Sequence, residues 1–396
     1  MKSLRNAKRI CWLIALFPTV YMWYAILANR NGMRIFYFVY SAIIIILSTV
    51  NIRTGRIQKK SFIIIILLLV LTEMYLFFFS EIESKSSAIL FSIMYFYMWI
   101  YGDTDFRNYY FNFLKKNEKR YMCLIAFYYI GVLVALLNGT AISHNWGTIS
   151  LQGPYGLAHI FAYELLLLAI NSCLLYIGTK KIRWIIMMIL NLVMMILTNV
   201  RSTLLCLLVI IAYYFIARKN YKKFIVFIIG IISFYFVYKY TSLFTTIIEK
   251  TVNAAITGDI TNARFAIWTN SINLFKRSDI LHKLFGNGMQ KLMDYNLVYI
   301  RMQIHAHNEF IDILAAYGLV SLVLYIYFFK KFIKGEHRIG FFLAFFVLAW
   351  FNGIYSDCSF VIGLVSFRVL FENINPEKQI VHHKKTNVGW NLLTHN

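Results

Sequence analysis

Apolar stretches of roughly 15–22 residues recur along the whole chain, each near the length a helix needs to cross a hydrocarbon core. They fall near residues 10–28, 35–50, 61–80, 86–102, 121–138, 157–178, 184–199, 203–217, 223–240, 309–329, 339–355 and 359–373. The stretch 184–217 is too long for one helix and carries basic clusters at both ends, which predicts a tight hairpin turning at Arg201. Composition agrees, because 60% hydrophobic residues, 14% charged residues, 3 prolines and a mean hydropathy of +0.63 leave little material for soluble domains. The expected fold class is an all-α polytopic membrane protein of about twelve transmembrane helices. A single integral membrane domain would cover residues 1–375, and 376–396 would be a cytoplasmic tail.

The formal charge of +23 would point to nucleic acid in a soluble protein, but here the charges sit in short clusters between apolar runs. Alternate loops separate into two sets. One holds Arg53/Arg56/Lys59/Lys60, Lys115/Lys116/Lys119/Arg120, Lys180/Lys181/Arg183, Arg218/Lys219/Lys222/Lys223 and Lys330/Lys331/Lys334/Arg338. The other short loops carry only Arg30, Arg34, Lys85, Arg201 and Lys239. An excess of Lys and Arg marks cytoplasmic loops, so both termini are expected in the cytoplasm. Lys2, Arg5, Lys8 and Arg9 precede the first apolar run as in a signal peptide. Further spans follow at once without a small-residue cleavage site, and a retained first helix is expected. The five cysteines show no close pairs and imply neither a disulfide framework nor a zinc site.

One loop breaks the pattern. Residues 241–308 form a large extracytoplasmic segment between the ninth and tenth spans, and loops of that length in compact proteins usually carry function. Phe265, Ile267, Trp268, Ile272 and Phe275 recur at helical spacing, which predicts amphipathic helices on the membrane surface. Gly286-Asn287-Gly288 reads as a turn. A second outer loop, 139–156, is uncharged and holds His144, Trp146, Gly153, Pro154 and Gly156.

Titratable and cationic positions gather on the outer side. Arg201, beside Thr198, Asn199 and Ser202, is either an interfacial arginine reaching water or a phosphate ligand. Arg264 is either a solvated charge or, with Lys276, Arg277, Lys283, Lys291 and Arg301, part of a basic vestibule for an anionic lipid head group. His307 begins the tenth span; if that helix continues inward, Ile311, Leu314 and Gly318 share its face at helical spacing, and the glycine admits a close backbone neighbour. A neutral imidazole there can take a proton from a hydroxyl. His305 can instead pair with Glu309 one turn on. Glu73 and Glu164 lie inside spans, where carboxylates are costly, and His159 stands four residues before Tyr163. Arg368 is expected to reach towards the cytoplasm. P-loop, GxGxxG, HExxH, paired CxxC and serine-elbow patterns are absent from the sequence.

Four segments stand in a telling order: Gly153-Pro154-Tyr155-Gly156-Leu157-Ala158-His159; Thr198-Asn199-Val200-Arg201-Ser202; Arg264-Phe265-Ala266-Ile267-Trp268 followed by Leu284-Phe285-Gly286-Asn287-Gly288; and His307-Asn308-Glu309-Phe310-Ile311-Asp312-Ile313-Leu314 ending at Gly318. Across about residues 150–330, together with the helix count, they resemble the O-antigen polymerase and O-antigen ligase family of bacterial polysaccharide assembly. Two positions depart from the family's pattern: Ile160-Phe161 stands where Pro-Asn is usual, and Val200 stands where the turn has serine.

The resemblance implies transfer of a glycan from undecaprenyl pyrophosphate at the outer face of the cytoplasmic membrane. It needs no nucleotide sugar, no cofactor and no metal. Arg201 and Arg264 would hold the pyrophosphate and stabilise its growing charge, and His307 would orient or deprotonate the acceptor hydroxyl. His305, Asn308, Trp268 and Arg301 would complete the substrate contacts. Trp146, Trp268, Tyr295 and Tyr299 would either stack on sugar rings or anchor the interface. The expected activity is a polysaccharide polymerase making capsule, exopolysaccharide or O-antigen, with ligase-type transfer to a lipid or protein acceptor as the alternative. A flippase and a chain-length regulator of the same pathway are the implied protein partners, and nucleic acid is not one. A lipid-linked oligosaccharide flippase or transporter is the competing class; Glu73 and Glu164 favour it, while matching halves are missing.

Overall fold

The Ala158–Thr179 helix is apolar on every face, and a helix without a polar stripe belongs in an interior. In the computed structural model it occupies that place, with positions 161–172 all buried. It packs along the Cys358–Glu372 helix, which is buried over almost its whole length. Around this pair stand the helices Lys2–Leu27, Ile82–Tyr101, Glu118–Leu137, Arg183–Leu197, Arg201–Ala217 and Arg338–Phe351. The structure describes residues 2–53, 82–145, 148–222, 264–335, 337–355 and 357–374, with Ile225, Ile228 and Ile229. The expected span 61–80 with Glu73, almost all of 223–240, Trp146, residues 241–263 and the 376–396 tail lie outside these residues.

Among the described residues, four helices are long and apolar enough to cross a membrane: Asn6–Leu27, Glu118–Leu137, Ala158–Thr179 and Glu309–Phe332. Five shorter apolar helices accompany them among the same residues. Among the described residues the only sheet is one antiparallel hairpin, Ile142–Asn145 with Thr148–Leu151, in the uncharged loop. An all-α membrane protein fits this architecture. A turn is present where the tight hairpin is expected, with the helices Arg183–Leu197 and Arg201–Ala217 joined at Thr198–Val200. The first, however, packs chiefly on Ala158–Thr179 and the second on Arg338–Phe351, rather than on each other.

Two features differ from the hydropathy reading. A further helix, Thr104–Lys116, lies in a loop expected to be merely basic; it buries Arg107, Tyr110, Phe113 and Leu114 on one side, and its first turn is capped by the Asp103 carboxylate. The second difference is in the tenth span, which is not one continuous α-helix. It runs as α over Glu309–Asp312, widens to a π-turn over Ile313–Tyr317 and restarts at Gly318, where φ is +80°. Ile311, Leu314 and Gly318 therefore do not share the unbroken face expected. The carbonyls freed by the break are taken up from outside: Ala315 O accepts from Asn287 N–H at 3.3 Å and Ala316 O from Gly288 N–H at 2.8 Å.

The two sets of loops also bond among themselves. Glu118 binds Lys181 and Arg183, Arg107 binds Glu372, Arg218 donates to Ile374 O, and Arg368 donates to Phe332 O and Lys334 O. Arg368, buried rather than solvated, thus works as a carbonyl clamp. On the sparsely charged set, Arg30 donates to Pro154 O at 2.8 Å and Asn199 Nδ2 to Ile149 O at 2.8 Å.

Glu164, fully buried in the central helix, is explained by packing. It accepts hydrogen bonds from Tyr128 Oη at 2.9 Å, from Tyr155 Oη and from Ser359 Oγ, so one carboxylate ties two other helices and the 153–155 turn together. Three hydroxyls lose their acceptor if it is removed. Glu164→Leu is expected to cost about 3 kcal/mol of stability. A lowered unfolding midpoint of the detergent-purified protein checks this, and Glu164→Gln should recover most of the loss.

Candidate active site

The segment Met302–Asn308 has no regular structure, so its position rests on bonds from neighbouring elements. Asn296, fully buried in the Met289–Ile300 helix, donates to Ile304 O at 2.7 Å. The Trp268 indole N–H donates to Ala306 O at 2.8 Å. Ala306 N–H donates to Asp312 Oδ1 at 2.7 Å. With both sides of Ala306 fixed, His307 is held at φ +52°, a left-handed conformation unusual for a residue with a side chain.

His305 pairs with Asp312 and not with Glu309: Nδ1 lies 2.8 Å from Asp312 Oδ2. Glu309 is turned away, its Oε2 accepting from Ile354 N–H and from Tyr355 N–H at 3.2 Å, which holds the loop before the last helix. The irregular path of 302–308 lets His305 reach forward seven residues, past the one-turn spacing that would have selected Glu309. His305 Nδ1 also lies 3.2 Å from His307 N–H, and one nitrogen cannot donate and accept together. The shorter, charge-bearing contact decides the tautomer: Nδ1 carries a proton and donates to the carboxylate. The two imidazole rings lie 4.1 Å apart, centroid to centroid.

The arginines come from different elements. Arg264 begins the Arg264–Arg277 helix, donates through Nη2 to Asn352 Oδ1 at 3.1 Å and lies over the Phe351 ring. Asn352 Nδ2 in turn donates to Ser202 Oγ at 2.6 Å. One amide therefore links Arg264 to the turn that carries Arg201. Arg201 is exposed and opens the Arg201–Ala217 helix, whose N-terminus lacks a side-chain cap from Val200. Free amide N–H groups and the positive end of the helix dipole lie beside a cation there.

The electrostatics show a site short of negative charge. Burial, and then the Arg201 guanidinium nearby, lower the Arg264 pKa from its ordinary value. His307 is pushed down to about 2, by burial first and then by His305, Arg264 and His159. His159 thus lies within electrostatic reach of both other histidines. Burial acts to lower the His305 pKa as well, but the Asp312 carboxylate outweighs it and the net shift is upward. The residues brought together are Arg201, Arg264, His305, His307 and His159. An arginine pair with a neutral imidazole beside it can bind a polyvalent anion and accept a proton.

Other expected site residues take supporting places. Asn308, fully buried, caps the Glu309–Asp312 turn, its Oδ1 accepting from Phe310 N–H at 3.1 Å and Ile311 N–H at 3.2 Å. Trp268 spends its N–H on Ala306 and sets its ring against Trp350 at 5.5 Å. Arg301 is exposed at the end of the Met289–Ile300 helix, with φ +57°. Sequence reasoning gave no role to Asp312 or Asn352. An acid in the first turn of a span was a signal for Asp312; Asn352 showed only as a polar residue in an apolar run.

Among curated proteins none matches the chain. Residues 186–326, a segment that contains Arg201, Arg264, Trp268, His305, His307 and Asp312, match the family model described as O-Antigen ligase, a likeness consistent with an O-antigen polymerase/ligase family.

Proposed function

We propose that the protein joins undecaprenyl-pyrophosphate-linked repeat units into a polysaccharide at the outer face of the cytoplasmic membrane, with both termini inside. The observation that carries this reading is the convergence of Arg201 and Arg264 beside a histidine loop, with the nearest carboxylates already engaged. Arg201 and Arg264 hold the donor's pyrophosphate. As the anomeric C–O bond breaks, their charge offsets the charge gathering on the lipid pyrophosphate. The acceptor sugar hydroxyl attacks the anomeric carbon from the opposite side and passes its proton to His307, so one displacement inverts the configuration. The products are a glycan one unit longer and the free lipid pyrophosphate.

The acceptor separates two forms of this chemistry. A polymerase extends another lipid-linked oligosaccharide, and this is the form we favour for capsule, exopolysaccharide or O-antigen. Transfer of a finished glycan to a lipid or protein is the second form, supported by the description of the matched family. A flippase and a chain-length regulator would serve beside it. Transport by the chain itself loses one of its supports, since Glu164 is held by three hydroxyl groups.

Deleting the gene in its host and sizing the lipid-linked glycans tests the reading. Single repeat units accumulating on the outer leaflet, with no long polymer, are expected. Long polymer retained on its lipid would mean the ligase form, and units trapped on the inner leaflet would overturn catalysis.

A further inference from the structure

Asp312 is fully buried, and both carboxylate oxygens are engaged, Oδ1 by Ala306 N–H at 2.7 Å and Oδ2 by His305 Nδ1 at 2.8 Å. A buried carboxylate requires a compensating charge, because removal from water costs several kcal/mol per ion. Among the described residues, the only ion pair Asp312 makes is with His305. Besides Asp312, His305 is faced by His307 within its own loop, by His159 from the central helix and by Glu309 on the same short helix as Asp312, itself already engaged by the Ile354 and Tyr355 N–H groups. His305 is therefore the group that balances Asp312. Its ring stays partly open, with 26% of the side chain exposed, and Nε2 has no hydrogen-bond partner among the described residues.

The neighbouring histidine has the opposite surroundings. His307 faces Arg264 from the Arg264–Arg277 helix, His159 from the central helix and His305 within its own loop. No carboxylate bonds its ring among the described residues. Two adjacent imidazoles thus stand in opposite electrostatic surroundings, the arrangement that separates an electrostatic role from a base role.

We infer that Asp312 is a positioning residue that holds His305 as an imidazolium, whose Nε2–H is a third anchor beside Arg201 and Arg264 for an organic pyrophosphate. This rests on the donor chemistry proposed above and extends it. His307 is left as the neutral member of the pair, free to take the acceptor's proton. Asp312 acts only through His305 and Ala306 and does not touch the substrate.

The sign of the pH effect separates this role from its rival. The His305 charge is present below its raised pKa and is lost as pH rises through it, so pyrophosphate binding weakens on the alkaline side. Asp312→Asn removes the carboxylate charge while an amide oxygen can still accept from Ala306 N–H, so the imidazolium is lost at lower pH. If His305 were instead the base, the variant would shift the acid side of the transfer profile.

The test is binding of farnesyl pyrophosphate to the detergent-purified full chain from pH 5 to pH 9, by calorimetry, with glycan transfer followed over the same range. The alkaline loss of affinity is expected to move to lower pH in D312N, so that the wild-type-to-D312N affinity ratio exceeds about tenfold at a pH where wild type alone keeps the imidazolium, about one charge-assisted hydrogen bond, and falls back at a pH where neither does. His305→Gln, which leaves the Asp312 clamp on Ala306 in place, should bind weakly at pH 5.5 and show little further change at pH 8. It decides the matter if D312N proves poorly folded by thermal unfolding. A ratio that does not change with pH, with His305→Gln binding as wild type, overturns the inference while leaving the transfer reading intact. A shift confined to the acid side of transfer overturns it too. If the affinity ratio behaves as expected but no glycan is transferred, the anion site stands and the polymerase reading falls.

Discussion

Arg264→Ala is expected to reduce glycan transfer by at least about a hundredfold, the usual loss when a preorganised donor to developing negative charge is removed. The expectation rests on what Arg264 does in the free protein. Its guanidinium is partly buried, held at 3.1 Å by Asn352 Oδ1 and repelled by Arg201, an arrangement that costs free energy until an anion enters. Asn352 has its other end on Ser202 at 2.6 Å, so one hydrogen-bonded link ties Arg264 to the turn that carries Arg201. Arg264→Lys should lose most of the activity as well, since an ammonium cannot meet Asn352 and bridge two phosphate oxygens with a planar fork. Arg201→Ala should be comparably damaging to transfer, yet neutral or slightly favourable for stability, because it relieves a cation at a helix N-terminus. The measurement is transfer by purified variants whose unfolding midpoints match wild type. A loss below about tenfold for Arg264→Ala would take this residue out of the reaction, given the magnitude such donors carry.

Hydropathy made the span framework legible because burial in lipid is a local demand: each segment must satisfy it alone. The stretches expected at 121–138 and 157–178 differ by only a few residues from the helices Glu118–Leu137 and Ala158–Thr179. Helical spacing also found Arg264–Arg277, but not its inner face. Phe265 is exposed, and the buried stripe is Ile267, Asn270, Ser271 and Leu274, whose two polar members meet Asn296. A stripe with two polar residues looks solvated until its partner helix is known. Thr104–Lys116 hid in a charged loop for the same reason: its buried Arg107 is paired with Glu372, far along the chain. For the site, Arg201, Arg264 and the histidines stood out as polar groups in an apolar sequence. Asp312 did not, because the partner it balances sits in a segment of irregular backbone that no periodicity describes.

Gly318→Ala and Gly286→Ala are expected to lower stability by about 3 kcal/mol or more, enough to remove most folded protein from the membrane. At Gly318 an added Cβ would lie 2.4 Å from Leu284 O, and at Gly286 it would lie 2.2 Å from Ala316 O. Both obstacles are backbone atoms, so no side-chain rotation relieves them. Both glycines also have positive φ, +80° and +97°, which adds a conformational cost for any L side chain. The crossing they permit is the one that satisfies the broken span: Asn287 donates to Ala315 O through its backbone and through Nδ2 at 3.1 Å, and Gly288 donates to Ala316 O. Forcing the strands of backbone apart leaves those carbonyls unsatisfied next to the turn that holds Asp312. Variants that still fold should then lose transfer, because the His305–Asp312 contact begins three residues before the crossing. Gly139→Ala is the control, since its φ is +70° but nothing lies within 4 Å of the added Cβ. It should cost only the left-handed penalty of about 1 kcal/mol. If the midpoint of Gly318→Ala fell no further than that of Gly139→Ala, the close crossing would not be what holds the broken helix in place.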